Sequence, residues 1–393
     1  MAALLLLKVH LQIQVVYRSF WSGQSALFNH HRKLFPKVAT LSTVTTMFQN
    51  QFTAAVFKEK GELNEKIMKK PCVLLNAEKG DVCGLPKELI EIVAQHFEVI
   101  GYDEFLKNKD AYSQKIQAYM MWTFVNSPDY SFLQSMPNLK IVLTAGAGLD
   151  HLDLPMIYSF GVKVANTPLQ VMNATADLGM GLMLASARNI VEGAKIATSP
   201  ETTYFNNNWL GADITGATLG IIGMGKIGYK VAQRAKGFEM KILYHNKRRR
   251  VEKDEKEVGA TYCGKLEDLL QQSDFVMLVV NLTPDTTNLI GKRELEKMKS
   301  TATLINISRG QVVDQDALVE ALQKGVIRAA ALDVTCPEPL PRDHPLLKLK
   351  NVILTPHIGS STYASARGIL EQMLINGLAA LAGLDIPDEV TLP

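Results

Sequence analysis

Cysteine is scarce. The 393 residues contain four, Cys72, Cys83, Cys263 and Cys336, and no two of them form a CxxC pair. That leaves no basis for a disulfide framework or a zinc site, and it fits a reducing compartment. An excess of either charge is also missing. The 42 basic and 39 acidic residues leave a net +3, too even for nucleic acid or a membrane surface to be the principal partner. No stretch approaches the ~20 consecutive apolar residues of a membrane span, and no internal repeat or low-complexity tract stands out. Acid is wholly absent before Glu59, where Lys8, Arg18, Arg32, Lys33 and Lys37 lie among Ser, Thr and apolar residues. Such a leader reads as a mitochondrial transit segment, or as an extension ahead of a start near Met47. A secretory signal fits less well, because the apolar run Ala2 to Leu7 is short and ends at Lys8.

What the chain does have is an apolar content of 47 %, and a length beyond that at which a single core usually divides. From Pro71 short apolar strands alternate with helices. Cys72–Asn76, Glu98–Gly101, Tyr119–Phe124 and Lys140–Thr144 form one series. Thr218–Ile222, Lys241–Tyr244, Phe275–Val280, Thr303–Ile307 and Arg328–Leu332 form a second. This βαβ order predicts an α/β protein with two Rossmann-like domains built on parallel sheets. Between the series, Leu169–Ile190 is compatible with a long apolar helix, which must be covered at a domain or subunit junction. The last helix, near Thr362–Leu381, is expected to return to the first domain and make it discontinuous. The expected division is residues 69–168 plus 358–393 for substrate and 169–357 for a dinucleotide, with 1–68 as the leader.

The glycine loop Gly223-Met224-Gly225-Lys226-Ile227-Gly228 follows an apolar strand and opens a helix-compatible run to Lys236. In that context glycines permit a tight turn and close backbone approach, while free N–H groups at the helix start suit a pyrophosphate. An NAD-type site usually carries an acid at the end of the next strand. Here Asn246 stands in its place, followed by Lys247, Arg248, Arg249 and Arg250. Losing the negative charge and gaining guanidinium forks favours a 2′-phosphate, hence NADPH, with NADH still admissible. The bland alternative is a solvated basic turn.

Three further residues sit at predicted strand ends. Arg309, in Asn306-Ile307-Ser308-Arg309-Gly310, can grip a carboxylate and polarise the neighbouring carbonyl. His357, in Thr355-Pro356-His357, can exchange a proton, and Glu338 can orient that histidine and stabilise its cation. Alone, Arg309 would be a surface ion-pair partner and His357 a structural histidine. Together they are the minimum for reducing a 2-keto acid with a nicotinamide. Cys336, beside the acid, reads as an inert small residue.

With these motifs and Leu332-Asp333-Val334-Thr335-Cys336-Pro337-Glu338-Pro339, the chain from Pro71 onward resembles the D-isomer-specific 2-hydroxyacid dehydrogenases, closest to glyoxylate/hydroxypyruvate reductases. The resemblance implies NADPH-dependent reduction of glyoxylate or hydroxypyruvate to the (R)-hydroxy acid. It implies that Ala147 and Gly148 offer backbone amides to the substrate carboxylate, with Arg309, His357 and Ser360 also lining that site. It implies Thr175, Asn281, Ile307, Asp333 and Gly359 around the nicotinamide half of the cofactor, a homodimer using the 169–190 region, and a cytosolic location. One departure stands out. The resembled reductases carry a tryptophan before the dinucleotide strand that reaches a neighbouring subunit's pocket, whereas here Phe205-Asn206-Asn207-Asn208-Trp209 puts Asn206 at its counterpart. That leaves open other 2-keto acids, such as 2-ketogluconate or hydroxyphenylpyruvate. A phosphoglycerate dehydrogenase fits less well, since only 36 residues follow His357. A dinucleotide-sensing co-repressor scaffold is disfavoured by the NADP-type turn and the lack of a long polar tail.

The leader is testable by itself. Residues 1–58 fused to a fluorescent reporter are expected to enter mitochondria and yield a shortened species, and a diffuse, unprocessed reporter would leave the cytosolic alternative.

Overall fold

Runs with no exposed position, Cys72–Asn76, Ile141–Thr144, Phe275–Leu278, Thr303–Asn306 and Ala329–Leu332, form the centres of two parallel sheets covered on both faces. The computed structural model describes residues 70–77, 85–202 and 210–392. The leader, Cys83 and the Phe205–Trp209 departure lie outside them.

The first sheet takes the chain through β1 (Cys72–Asn76), α1 (Lys87–His96), β2 (Glu98–Gly101), α2 (Tyr102–Lys107), α3 (Lys109–Tyr112), β3 (Ile116–Met121), α4 (Tyr130–Ser135), β4 (Ile141–Thr144), α5 (Leu154–Ser159) and β5 (Lys163–Ala165). Its strand order is β2-β1-β3-β4-β5. Then α6 (Met172–Ala187) and α7 (Ile190–Thr198) lead into β6 (Thr218–Ile222), α8 (Lys226–Gly237), β7 (Lys241–His245), α9 (Glu252–Val258), β8 (Ala260–Tyr262), α10 (Leu266–Gln272), β9 (Phe275–Leu278), α11 (Lys292–Lys297), β10 (Thr303–Asn306), α12 (Gln315–Gln323), β11 (Ala329–Leu332) and β12 (Val352–Leu354). The second sheet runs β12-β11-β10-β9-β6-β7-β8, the doubly wound order with its reversal between β6 and β9. Both sheets belong to one compact unit beginning at Pro71.

The last helix, α13 (Tyr363–Ala382), packs back on the first sheet, with Ile369, Leu370, Met373 and Leu374 in the same apolar cluster as Val73, Phe97 and Leu143. The first unit of structure is therefore discontinuous. Thr362 caps this helix by accepting from Ser365 N at 3.1 Å, and Gly383 ends it in the left-handed region at φ 71°.

β5 and β8 are not among the expected strands, β9 stops at Leu278 rather than Val280, and two further elements end early for a visible reason. The strand expected over 119–124 ends at Met121, because Asn76 Nδ2 donates to Val125 O at 2.5 Å and Tyr119 Oη to Asn126 O at 2.8 Å, pulling 122–126 into a turn. The helix expected over 169–190 stops at Ala187. Asn189 adopts φ 51°, and Ala212 N donates to the Ala187 carbonyl at 2.8 Å, so the returning chain ends the helix. Its apolar side is covered within the chain, by α8 and by β10, β11 and β12.

The third glycine of the loop welds α8 to β6. A Cβ on Gly228 would overlap the Gly223 carbonyl oxygen, a backbone atom with nowhere to move. Gly228→Val is expected to destabilise the fold by about 1–3 kcal/mol or more through this overlap. A thermal melt checks it, and an unchanged Tm would show that the helix can retreat.

Candidate active site

Parallel strands place the segments that follow them on one edge, and on the second sheet that edge carries the glycine loop, Asn281, Arg309, Asp333 and His357. At the reversal of strand order, Gly223 lies at φ 102°, and a Cβ there would overlap the Val279 carbonyl. Gly225 caps α8 and has open space where its Cβ would be. The N–H groups of the first helical turn have no partner within the helix. The donor set and the cradle suit a pyrophosphate, so the loop fits a dinucleotide.

The basic turn is less uniform than its sequence suggests. Asn246 Oδ1 accepts from Met224 N at 2.6 Å and so fastens the turn to the glycine loop. Lys247 pairs with Asp285. Arg249 is engaged by Glu255 through two parallel bonds of 2.8 Å, and the buried Glu255 also accepts from Tyr244 Oη. These bonds hold the Glu255 carboxyl down at about 2. Arg250 donates to Asp254 and to Met224 O and lies 4.7 Å from the Tyr229 ring centroid. Among the described residues Arg248 alone in this run makes no hydrogen bond or ion pair.

The turn carrying His357 is knotted around Asp333. One carboxylate oxygen accepts from Thr355 Oγ1 at 2.6 Å and Ile358 N at 2.9 Å, the other from Gly359 N at 2.8 Å. The Asp333 carbonyl accepts from His357 N at 2.8 Å. Burial raises the Asp333 pKa against these bonds. Gly359 fits because a Cβ would stand 3.1 Å from Asp333 Oδ2 and 3.3 Å from Thr175 Cγ2, so Thr175, Asp333 and Gly359 come together. His357 itself sits at φ 52°, a left-handed conformation unusual for a side-chain-bearing residue and held by the bonds around it. Its Nδ1 meets Glu338 Oε2 at 2.8 Å, and the other Glu338 oxygen accepts from Thr335 N at 2.9 Å. Burial works to raise the Glu338 pKa, but the hydrogen bond and charge of His357 outweigh it and hold the carboxyl below its usual value. Ser360 follows within the same turn, its carbonyl accepting from Thr362 N at 2.8 Å.

Arg309 crosses to the first sheet. Its Nε lies 3.1 Å from both Asp150 oxygens and its Nη1 donates to Ser308 O at 2.9 Å. A Cβ on Gly148 would overlap Nη2, so only glycine admits the arginine beside this loop. Asn306 braces the segment, accepting from Ser308 N and Oγ and donating to Arg309 O at 2.8 Å. Asn166 Nδ2 holds the Ala147 carbonyl at 3.0 Å. Ile307 is buried against Gly179, whereas Asn281 is exposed after β9.

Three neighbours were not anticipated. Asp150 binds the arginine. The Phe124 ring lies 5.5 Å from Arg309 Cζ, 5.8 Å from the His357 ring and 4.8 Å from the His151 ring. Burial lowers the His151 pKa to about 4, leaving a neutral ring whose Nε2 meets Thr144 Oγ1 at 2.9 Å. Among the described residues no cluster of three His, Cys, Asp or Glu side chains could hold a metal, and no helix is long and apolar enough to cross a membrane.

A doubly wound sheet with a dinucleotide loop, sharing one edge with an arginine and an acid-paired histidine, defines a nicotinamide-dependent dehydrogenase. Residues 180–359 match the model of the D-isomer specific 2-hydroxyacid dehydrogenase, NAD binding domain. The chain is 40 % identical over 311 residues to a glyoxylate reductase of Thermococcus onnurineus (strain NA1), covering 77 % of this chain and 92 % of that protein. It is 40 % identical over 306 residues to glyoxylate/hydroxypyruvate reductase B of Enterobacter sp. (strain 638), covering 76 % and 93 %. Among solved structures, the TT0316 protein of Thermus thermophilus superposes with a TM-score of 0.72 at 35 % identity, over 81 % of this chain and all of that one. An NADPH-dependent glyoxylate/hydroxypyruvate reductase of Sinorhizobium meliloti, solved with NADP and malonate, does so at 0.71 and 25 % identity, over 82 % and 97 %. The chain belongs to the D-isomer-specific 2-hydroxyacid dehydrogenase family.

Proposed function

We propose that this enzyme reduces small 2-keto acids, glyoxylate and hydroxypyruvate foremost, to (R)-2-hydroxy acids at the expense of NADPH. The observation that carries the reading is the convergence of Arg309, the His357–Glu338 pair and the Gly148 loop on the sheet edge that bears the dinucleotide loop. The names of the relatives support the same substrates.

Gly223, Gly225 and the first turn of α8 would hold the cofactor pyrophosphate, with Thr175, Asn281, Ile307, Asp333 and Gly359 at its nicotinamide end. When bound, that group supplies a hydride. Arg309 and the amides of Ala147 and Gly148 fix the substrate carboxylate, and Arg309 polarises the carbonyl, an effect of ~3 kcal/mol for comparable donors. His357 gives its proton to the carbonyl oxygen as charge develops there, and Glu338 keeps the ring oriented and its cation favoured. Exposed Ile190, Val191 and Leu210 offer apolar surface for a homodimer.

The preference for NADPH rests on Asn246 in place of an acid and on Arg248. Arg248→Ala is expected to raise the KM for NADPH ~10-fold or more, the scale of one charge-assisted contact, with little change for NADH. Arg249→Ala should in addition lower Tm by several degrees, because it strands the buried Glu255. An unchanged NADPH/NADH ratio in both variants would remove the turn as selector.

The mechanism predicts a pH profile. Glu338, with its pKa depressed in the folded protein, stays ionised through the neutral range and loses its charge only as pH falls through that lowered value. Its charge therefore stands beside His357 wherever reduction is measured, and kcat/KM for reduction, which consumes a proton, should decline at high pH. Glu338→Gln removes the charge and should move that limb of kcat/KM to lower pH by about one unit. His357→Ala should abolish the limb and lower the rate by ~100-fold, leaving NADPH binding intact. Identical profiles for parent and Glu338→Gln, with chemistry rate-limiting, would refute the pair's role.

A further inference from the structure

Arg309 is already spoken for along two of its edges. Asp150 takes Nε through both oxygens at 3.1 Å, and the Ser308 carbonyl takes Nη1 at 2.9 Å. The guanidinium also lies 5.5 Å from the Phe124 ring centroid. Among the described residues Nη2 donates to nothing, and it is the nitrogen pressed against Gly148. The side chains of Arg309 and Asp150 are only 20 % and 23 % exposed, so the pair is partly desolvated and its charges are weakly screened. The cation is thus turned so that one corner faces the Gly148 loop, and a fixed negative charge stands beside that corner. A second fixed carboxylate, Glu338, lies on the His357 side.

Building on the substrate reading above, we propose that Asp150 is a positioning and specificity residue. It aims Arg309 Nη2 at a single substrate carboxylate, and its charge turns away 2-keto acids that carry a second carboxylate. Two physical effects act through one side chain, and they are separable. Orientation needs only an acceptor for Nε, which an amide oxygen supplies. Selection needs the charge, since a like charge a few ångströms away opposes a second anion far more than the first, which Arg309 neutralises. A side chain that merely braced the fold would give no reason for affinity toward any ligand to rise when it is replaced.

The test compares the full-length parent, Asp150→Asn and Asp150→Ala, each with NADPH, by calorimetric binding of oxamate and malonate and by turnover of glyoxylate and 2-oxoglutarate. Asp150→Asn should bind malonate ~10-fold more tightly while oxamate changes less than ~3-fold, and should raise the 2-oxoglutarate/glyoxylate ratio of kcat/KM ~10-fold, as expected for one lost like-charge contact. Asp150→Ala, which also loses the acceptor, should raise the glyoxylate KM ~10-fold over Asp150→Asn with kcat changed less, the loss the amide rescues. A malonate/oxamate ratio in Asp150→Asn equal to that of the parent would overturn selection, and equal glyoxylate KM values in the two variants would overturn positioning. A parent that binds neither anion and turns over neither acid would instead bring down the substrate reading, and this inference with it. Asp150→Asn is close to isosteric, so a poorly folding Asp150→Ala leaves the charge arm decisive.

Discussion

Parallel pairing is the constraint from which the site follows. A strand hydrogen-bonded only to parallel neighbours must send its chain over a face of the sheet before pairing again, so every following loop emerges on the same edge. In the second sheet this brings residues from 223 to 359 within reach of one another without any contact among them being required in advance. In the first sheet the same rule brings out the 122–126 turn after β3 and the 145–151 loop after β4. Where the two edges meet, Arg309 reaches Asp150 and the Phe124 ring lies against both Arg309 and His357.

Topology puts residues near one another, and local bonds give them direction. Asp333 is buried with three donors on its carboxylate and one on its carbonyl, which fixes a turn in which His357 must take a left-handed backbone. The imidazole then has its Nδ1 on Glu338 and its ring beside Phe124. A histidine on a relaxed loop could lose this orientation through a single rotation. The unfavourable φ is retained because the surrounding hydrogen bonds leave the turn no alternative of similar quality.

Much of this was legible in the chain. Strand positions follow from short apolar runs closed by Gly, Asn or Asp, and the glycine loop announces itself by its spacing after such a run, with Gly223 and Gly228 each required sterically and Gly225 leaving open space at the helix start. The cap of α12 is likewise local, since Asp314 stands directly before Gln315–Gln323 and accepts from Ala317 N. What could not be read are pairings made across the fold. Asp150 and Arg309 are 159 residues apart, and nothing local to either tells of the other. The end of β3 depends on Asn76, 49 residues before Val125. The basic turn was misleading in a different way. Composition counts its charges, but only the fold reveals that Arg249 is engaged by Glu255 and Lys247 by Asp285.

The return of the last helix to the first sheet has a mechanical consequence. The chain passes between the sheets twice, once between β5 and α6 and once between β12 and α13. The two passages lie side by side, since Ser365 Oγ donates to Gln170 O at 2.6 Å and Gln170 Nε2 to Gln372 Oε1 at 3.2 Å. A pair of adjacent covalent tethers resists sliding and separation but yields to rotation about the line through them. Rotation about that line is thus the displacement the connectivity opposes least, and the Arg309–Asp150 pair, which joins a loop of each sheet, is a contact that any such displacement would have to break.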